Sequence, residues 1–257
     1  MTNIAGGIPI TNGTYLPTIN QGNVIPENLR DLAERFASSF DDPKINNIKT
    51  REMVTAFLQR RKTQGELRDA KQFFKRLSIL ANVYHVKGIE KLFFNAERND
   101  SLSPQVKQKD FEYKDFRGFY NESTAVYLLC QNGYNIEEVS KEISVNGQRH
   151  EIDAVIRNNE GKAYYIDIKS NQYSLQHKRI LNQINALAEI AKNNTATPVI
   201  MFTNILDSRD LASNPSFFPV YGFLKSHDSL EVWSISRKEN KVVDITKELV
   251  QKGGWRI

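Results

Sequence analysis

Two acidic residues and a lysine occupy neighbouring predicted strands in the middle of the chain. Asp153 lies in the predicted strand 150 to 157, and Asp167 and Lys169 lie in the predicted strand 162 to 169. Because opposite residues on paired antiparallel strands lie about 5 Å apart, a hairpin would place Asp153 close to Asp167 and Lys169. Two carboxylates at that spacing repel each other unless a cation lies between them. The pattern therefore predicts a site for Mg²⁺ or Mn²⁺, which bind carboxylate oxygens.

A divalent cation beside a lysine is suited to phosphodiester hydrolysis. Water on such a cation becomes a better nucleophile. A nearby lysine can orient or deprotonate that water, or balance charge on a phosphate. The structural alternative is a solvated strand face with a salt bridge, and the apolar residues around the acids argue against it.

The order of elements supports this interpretation more than the tripeptide itself. An acidic residue two positions before a lysine occurs six times in the chain, but only Asp167 and Lys169 end an apolar strand that follows another acid-bearing strand. We predict a helix at 119 to 131, strands at 138 to 145, 150 to 157 and 162 to 169, a helix at 175 to 193 and a strand at 197 to 204. Weaker strands are predicted near 230 to 236 and 241 to 246. This order predicts an α/β (α+β) fold with a mixed sheet flanked by helices.

The N-terminal part of the chain has a different character. Residues 1 to 25 predict an irregular arm with a hairpin at Asn12 and Gly13. Helices are predicted from Pro26, from near Thr50, behind a capping box at Thr63, and at 87 to 97. A polar linker is predicted at 99 to 110. We therefore expect a small all-helical domain over 26 to 110 and a second domain over 111 to 257.

The densest basic segment lies in these helices. Residues 49 to 76 contain nine basic and three acidic residues, a net charge of +6. Arg68, Lys71 and Lys75 share one helical face, which favours a clamp on nucleic-acid phosphates. A solvated helix face explains the same pattern equally well. Lys178 and Arg179 are further candidates for phosphate contacts.

Composition limits the class of protein. The whole chain carries a net charge of +5 and has a pI near 9.1, which is compatible with a polyanionic partner but does not require one. The single cysteine, Cys130, excludes an internal disulfide and a cysteine-based zinc site. We expect no secretory signal and no transmembrane helix, and hence a cytoplasmic protein.

The motifs together resemble the PD-(D/E)XK nuclease superfamily, whose members have the restriction-endonuclease-like fold. The resemblance covers residues 117 to 204, about a third of the chain. Asp153 matches the first acidic position of the family, although Ile152 replaces the proline before it. Asp167, Ile168 and Lys169 match the second motif. Glu122, in the sequence GFYNESTAVYLLCQNGY, matches the glutamate that the family often places on the preceding helix, although an acid favoured by the helix N-terminus is an equal explanation. Gln183 is a looser match to a glutamine that some members use.

The resemblance implies a metal-dependent endonuclease and hydrolase. Asp153, Asp167 and Glu122 would bind Mg²⁺ or Mn²⁺, and Lys169 would help to activate water. DNA is the favoured substrate, and a homodimer is expected because two DNA strands need two sites. An RNA- or tRNA-cleaving toxin of the same fold is one alternative. A non-catalytic module that binds nucleic acid or protein is another.

Overall fold

A computed structural model describes the fold over residues 8–10, 14–16, 29–40, 47–102, 115–145, 147–170, 178–203, 218–236 and 239–252. The helices in these ranges are α1 (Leu29–Ala37), α2 (Ile48–Gln59), α3 (Gln64–Asn82), α4 (Ile89–Ser101), α5 (Phe116–Gln131), α6 (Lys178–Asn193), α7 (Phe218–Ser226) and α8 (Thr246–Lys252). The strands are β1 (Ile8–Ile10), β2 (Thr14–Leu16), β3 (Asn135–Val145), β4 (Gln148–Arg157), β5 (Ala163–Lys169), β6 (Thr197–Phe202), β7 (Glu231–Ser236) and β8 (Lys241–Asp244).

Six strands form one mixed sheet in the order β3-β4-β5-β6-β7-β8. The first three strands are antiparallel neighbours, β5, β6 and β7 run parallel, and β8 pairs antiparallel at the far edge. This sheet confirms the predicted mixed α/β class with flanking helices. The predicted hairpin of the N-terminal arm is represented by β1 and β2, which pair antiparallel, while its turn at Asn12 and Gly13 lies outside the described residues.

Helices cover both faces of the sheet. The face toward α5 is lined by side chains that pack with α5 in one core cluster: Ala154, Ile156, Tyr164, Ile166 and Ile168. On the opposite face, Val155 and Tyr165 pack against Leu187 and Ile190 of α6. The apolar character of β4 and β5 on both faces follows from this coverage, since a central strand covered on both sides has no solvated face.

The helices α1 to α4 pack on the α5 side of the sheet rather than apart from it. One continuous core cluster includes Leu32 of α1, Phe74 of α3, Ala125 of α5 and Ile235 of β7. Aromatic rings in edge-to-face contact fill its helical part. The predicted division at residues 110 and 111 therefore separates two halves that share one apolar core.

Several local predictions can be compared with these elements. The capping box at the start of α3 is confirmed, because Thr63 and Glu66 bond to each other's backbone N–H groups. The predicted start of the linker at residue 99 is wrong, since α4 continues to Ser101; residues 103 to 110 lie outside the described residues. The helices α7 and α8 were not predicted, because short apolar segments do not distinguish a helix from a strand by periodicity.

The start of α4 lies unusually close to β3. Gly88, which precedes α4, has a φ of +86°, and a Cβ atom placed on it would lie 2.1 Å from the carbonyl oxygen of Val139. The backbone N–H of Val139 donates to the carbonyl of Lys87 at 2.9 Å. The following residue, Ser140, is buried and has a φ of +48°. Glycine is therefore the residue that fits this contact.

The single cysteine gives a chemical test of how α5 packs. Burial raises the pKa of Cys130 to about 12, and the thiolate is the form that reacts with alkylating reagents. We expect iodoacetamide at pH 8 to modify native Cys130 at least ~100-fold more slowly than the same thiol in urea-unfolded protein. Intact-mass spectrometry measures both rates, and similar rates would contradict the packing of this part of α5.

None of the helices in the described part of the chain is both long enough and apolar enough to cross a membrane.

Candidate active site

Glu122 projects from α5 toward the sheet. The helix begins behind Asp115, whose side chain accepts from the backbone N–H of Gly118 at 3.0 Å. Glu122 lies beyond the first helical turn and is only 2% exposed. The helix dipole acts mainly within the first turn, so it does not account for this position. A buried carboxylate here needs a polar or cationic partner, as a ligand position would provide.

Asp153 lies where the regular alternation of β4 breaks. Ala154 belongs to the core cluster on the α5 side, but Ile152 packs with Val155 on the α6 side. In a regular strand Ile152 and Ala154 would share a face, and here they pack in different core clusters. In the facing strand β3, Ser140 has a positive φ and lies between the pairs Val139–Ala154 and Lys141–Ile152, which keep one register. The register shift between these strands lies at Ile136 and Glu138.

The carboxylate of Asp153 is directed toward β5. Its Oδ2 accepts a hydrogen bond of 2.7 Å from the backbone N–H of Ile168, and the residue is 3% exposed. Ile168 is the middle residue of the second predicted motif. The first acidic position and the second motif are thus joined by a direct bond from a side chain to the backbone. A charge-assisted bond of this kind fixes the orientation of the carboxylate.

Three carboxylates meet at this point of the fold. One oxygen each from Glu122, Glu151 and Asp153 lies within 4.8 Å of the other two. Glu122 and Asp153 are buried, whereas Glu151 is exposed. Glu151 was not among the predicted site residues. Its position two residues before Asp153 on the same strand is the sequence signal that could have identified it.

Asp167 and Lys169 form a separate pair. Lys169 Nζ donates to Asp167 Oδ1 at 2.5 Å, and the two side chains are 10% and 14% exposed. Asp167 is not among the three carboxylates whose oxygens lie within 4.8 Å of one another. The bond from Ile168 to Asp153 connects the pair to that group.

Polar contacts fix the end of β5 between α5 and β6. Asn121, next to Glu122, donates to the hydroxyl of Ser170 at 3.0 Å. On the other side, the backbone N–H of Thr203 donates to the carbonyl of Lys169 at 3.0 Å. The end of β5 is thereby tied to the helix that carries Glu122 and to the next strand.

The three-carboxylate group could hold a divalent cation such as Mg²⁺ or Mn²⁺, which bind carboxylate oxygens. Ligand oxygens on opposite sides of an octahedral Mg²⁺ lie about 4.2 Å apart, given Mg–O distances of about 2.1 Å. Carboxylate oxygens within 4.8 Å of one another fit around such an ion. Without a cation, three carboxylates this close repel one another, and burial of two of them strengthens the repulsion.

The remaining predicted residues lie elsewhere. Gln183 is partly buried on α6. Lys178 and Arg179 begin that helix. The three basic residues predicted as a phosphate clamp are on α3: Arg68, Lys71 and Lys75.

Comparison with known proteins adds no relative. Neither the family models nor the curated proteins that were searched contain a match to this chain. The chemistry of the residues described above is therefore the basis for a functional assignment.

Proposed function

We propose that this protein is a Mg²⁺-dependent endonuclease that hydrolyses DNA. The observation that carries the proposal is the convergence of Glu122, Glu151 and Asp153, whose oxygens lie within 4.8 Å of one another. Lys169, which is paired with Asp167, follows Ile168, whose backbone N–H bonds to Asp153. Their order along the chain, glutamate on a helix and then acids on two strands, is the order that the resemblance to PD-(D/E)XK nucleases implies. DNA is the proposed substrate on the basis of that resemblance.

In this proposal Glu122 and Asp153 are the principal metal ligands, and Glu151 is the third. The bound ion would supply a Lewis acid for the phosphate and would lower the pKa of water. Asp153 is suited to hold a ligand position because Ile168 N–H orients its carboxylate. Glu122 is suited because its helix is tied to the end of β5 through Asn121 and Ser170.

Lys169 is the proposed group for proton handling and charge balance. Its Nζ holds a proton in the hydrogen bond to Asp167 Oδ1, and an ammonium in this position can donate to a phosphate oxygen or to an attacking water. Asp167 orients that ammonium. Asp167 also remains a predicted metal ligand, since a carboxylate can bind a lysine through one oxygen and a cation through the other.

The direct test is digestion of a panel of nucleic acids by the purified protein. Plasmid DNA, linear duplex DNA, single-stranded DNA and tRNA are incubated with Mg²⁺, with Mn²⁺ or with EDTA. We expect cleavage of DNA that depends on the divalent ion and stops in EDTA, because the carboxylates alone do not activate water.

Each other outcome identifies a competing function. Cleavage of tRNA without cleavage of DNA would replace the proposal with an RNA-cleaving enzyme. Tight binding of nucleic acid that does not depend on metal, with no cleavage of any substrate, would indicate a non-catalytic module. Equal cleavage in Mg²⁺ and in EDTA would contradict a metal-dependent mechanism.

A further inference from the structure

The arginines of the basic segment 49–76 are largely engaged within the protein. Arg60 and Arg61 form ion pairs with Asp100 at the end of α4. Arg68 lies 3.5 Å from Asp69. The guanidinium of Arg76 is buried between α3 and α5, where it donates to Thr124 at 2.8 Å. Arg60, Arg61 and Arg76 are therefore held by partners within the protein, whereas the pair of Arg68 with Asp69 is long and exposed.

Lys71 and Lys75 differ from these arginines. In the part of the chain that the structure describes, neither lysine forms an ion pair or a side-chain hydrogen bond. They lie one helical turn apart on α3, and both are only partly exposed. Burial, with a further contribution from the charge of Lys71, lowers the pKa of Lys75. Two like charges at this spacing destabilise a helix, and an anion between them would reverse the effect.

The two lysines lie beside the contact that joins α3 to the helix of Glu122. Gln72 and Arg76, the residues that follow them in sequence, bond to α5: Gln72 accepts from the Tyr120 hydroxyl at 2.7 Å, and Arg76 donates to Thr124. Successive residues are rotated by about 100° around a helix. Lys71 and Lys75 therefore border the contact between α3 and α5, and α5 is the helix that carries Glu122.

We propose that Lys71 and Lys75 form a phosphate-contact surface for the backbone of a nucleic-acid strand. The two lysines are positively charged, and in the described part of the chain they have no anionic partner. A phosphate backbone is therefore a better ligand for this surface than an apolar or cationic one. Such contacts position a strand without reading its sequence. The identity of the polyanion as the substrate rests on the endonuclease proposal, but the surface is tested by binding alone.

The experiment measures binding of a fluorescent duplex of about 20 base pairs by anisotropy, in EDTA, over a series of salt concentrations. Wild type is compared with the charge-removing double variant Lys71→Gln/Lys75→Gln. The matched control, Lys192→Gln/Lys247→Gln, removes two exposed lysines from α6 and α8. A third variant, Lys71→Arg/Lys75→Arg, keeps both charges.

Each phosphate contact contributes about 0.9 to the slope of log affinity against log salt. We expect the Lys71→Gln/Lys75→Gln variant to lose about 1.8 from that slope and, with affinities that converge near 1 M salt, to bind about 60-fold more weakly near 0.1 M salt. The control pair and the arginine pair should bind as wild type does. Thermal melting of each variant establishes that the weaker binding does not come from unfolding.

The outcomes separate this surface from the endonuclease proposal. An unchanged slope in Lys71→Gln/Lys75→Gln, an equal loss in the control pair, or no binding of the duplex by wild type would overturn the surface. If the surface variant loses its slope while wild type never cleaves DNA in Mg²⁺, the surface stands and the endonuclease proposal fails. If wild type cleaves DNA in Mg²⁺ and the surface variant binds the duplex as wild type does, the endonuclease proposal stands and the phosphate-contact surface fails.

Discussion

Replacement of Asp153 by asparagine is expected to reduce Mg²⁺-dependent DNA cleavage by about 10³-fold or more while the protein stays folded. Asparagine has nearly the same shape as aspartate, and its side-chain oxygen can still accept from the backbone N–H of Ile168. The substitution therefore preserves the bond to β5 and removes the negative charge. A neutral amide is a much weaker ligand for Mg²⁺ than a carboxylate.

The same substitution should abolish the effect of metal on stability. In wild type, Mg²⁺ is expected to raise the melting temperature, because the ion binds the folded arrangement of Glu122, Glu151 and Asp153 and not the unfolded chain. In Asp153→Asn this rise should disappear. In EDTA the variant should be at least as stable as wild type, because one of three mutually repelling carboxylates has been neutralised.

Glu160→Gln is the matched control for this prediction. Glu160 is exposed in the turn between β4 and β5, and its replacement also removes one negative charge. It should leave both cleavage and the Mg²⁺-induced rise in melting temperature unchanged. Cleavage by Asp153→Asn at the wild-type rate would remove Asp153 from the metal site. A Mg²⁺-induced rise that persists in the variant would show that the ion binds elsewhere.

The sheet could be predicted from the sequence because its determinants are local. The apolar runs of β3 to β6 and the turn residues between them define strands and hairpins at short range. The pairing of β4 with β5 follows the predicted hairpin, with Ala154 opposite Ile166. The positions of Asp167 and Lys169 on one side of β5 follow from the same alternation.

The arrangement at Asp153 could not be predicted in this way. The rule of alternation assumes a regular strand, but Ile152 and Ala154 of β4 pack in different core clusters on either side of Asp153. A positive φ at a serine in the neighbouring strand leaves no clear signal in the sequence. Asp153 groups with Glu122, both of them predicted candidates for one metal site, and with Glu151, which was not predicted.

Gly88→Ala should produce the largest loss of stability among the substitutions considered, and it tests the close approach of α4 to β3. The added Cβ would lie 2.1 Å from the carbonyl oxygen of Val139, a backbone atom that cannot rotate away. The positive φ of Gly88 adds strain of about 1 kcal/mol for alanine. We expect a total loss of at least ~3 kcal/mol and a fall in melting temperature of about 10 °C.

Gly133→Ala separates the two causes. Gly133 also has a positive φ, +84°, but a Cβ on it would meet no atom within 4 Å. Its replacement should therefore cost only the backbone strain, about 1 kcal/mol, and lower the melting temperature by about 2–4 °C. Equal losses in the two variants would contradict the close contact of Gly88 with β3. A larger loss in Gly88→Ala would support the close approach of α4 to Val139, the residue before Ser140 in β3.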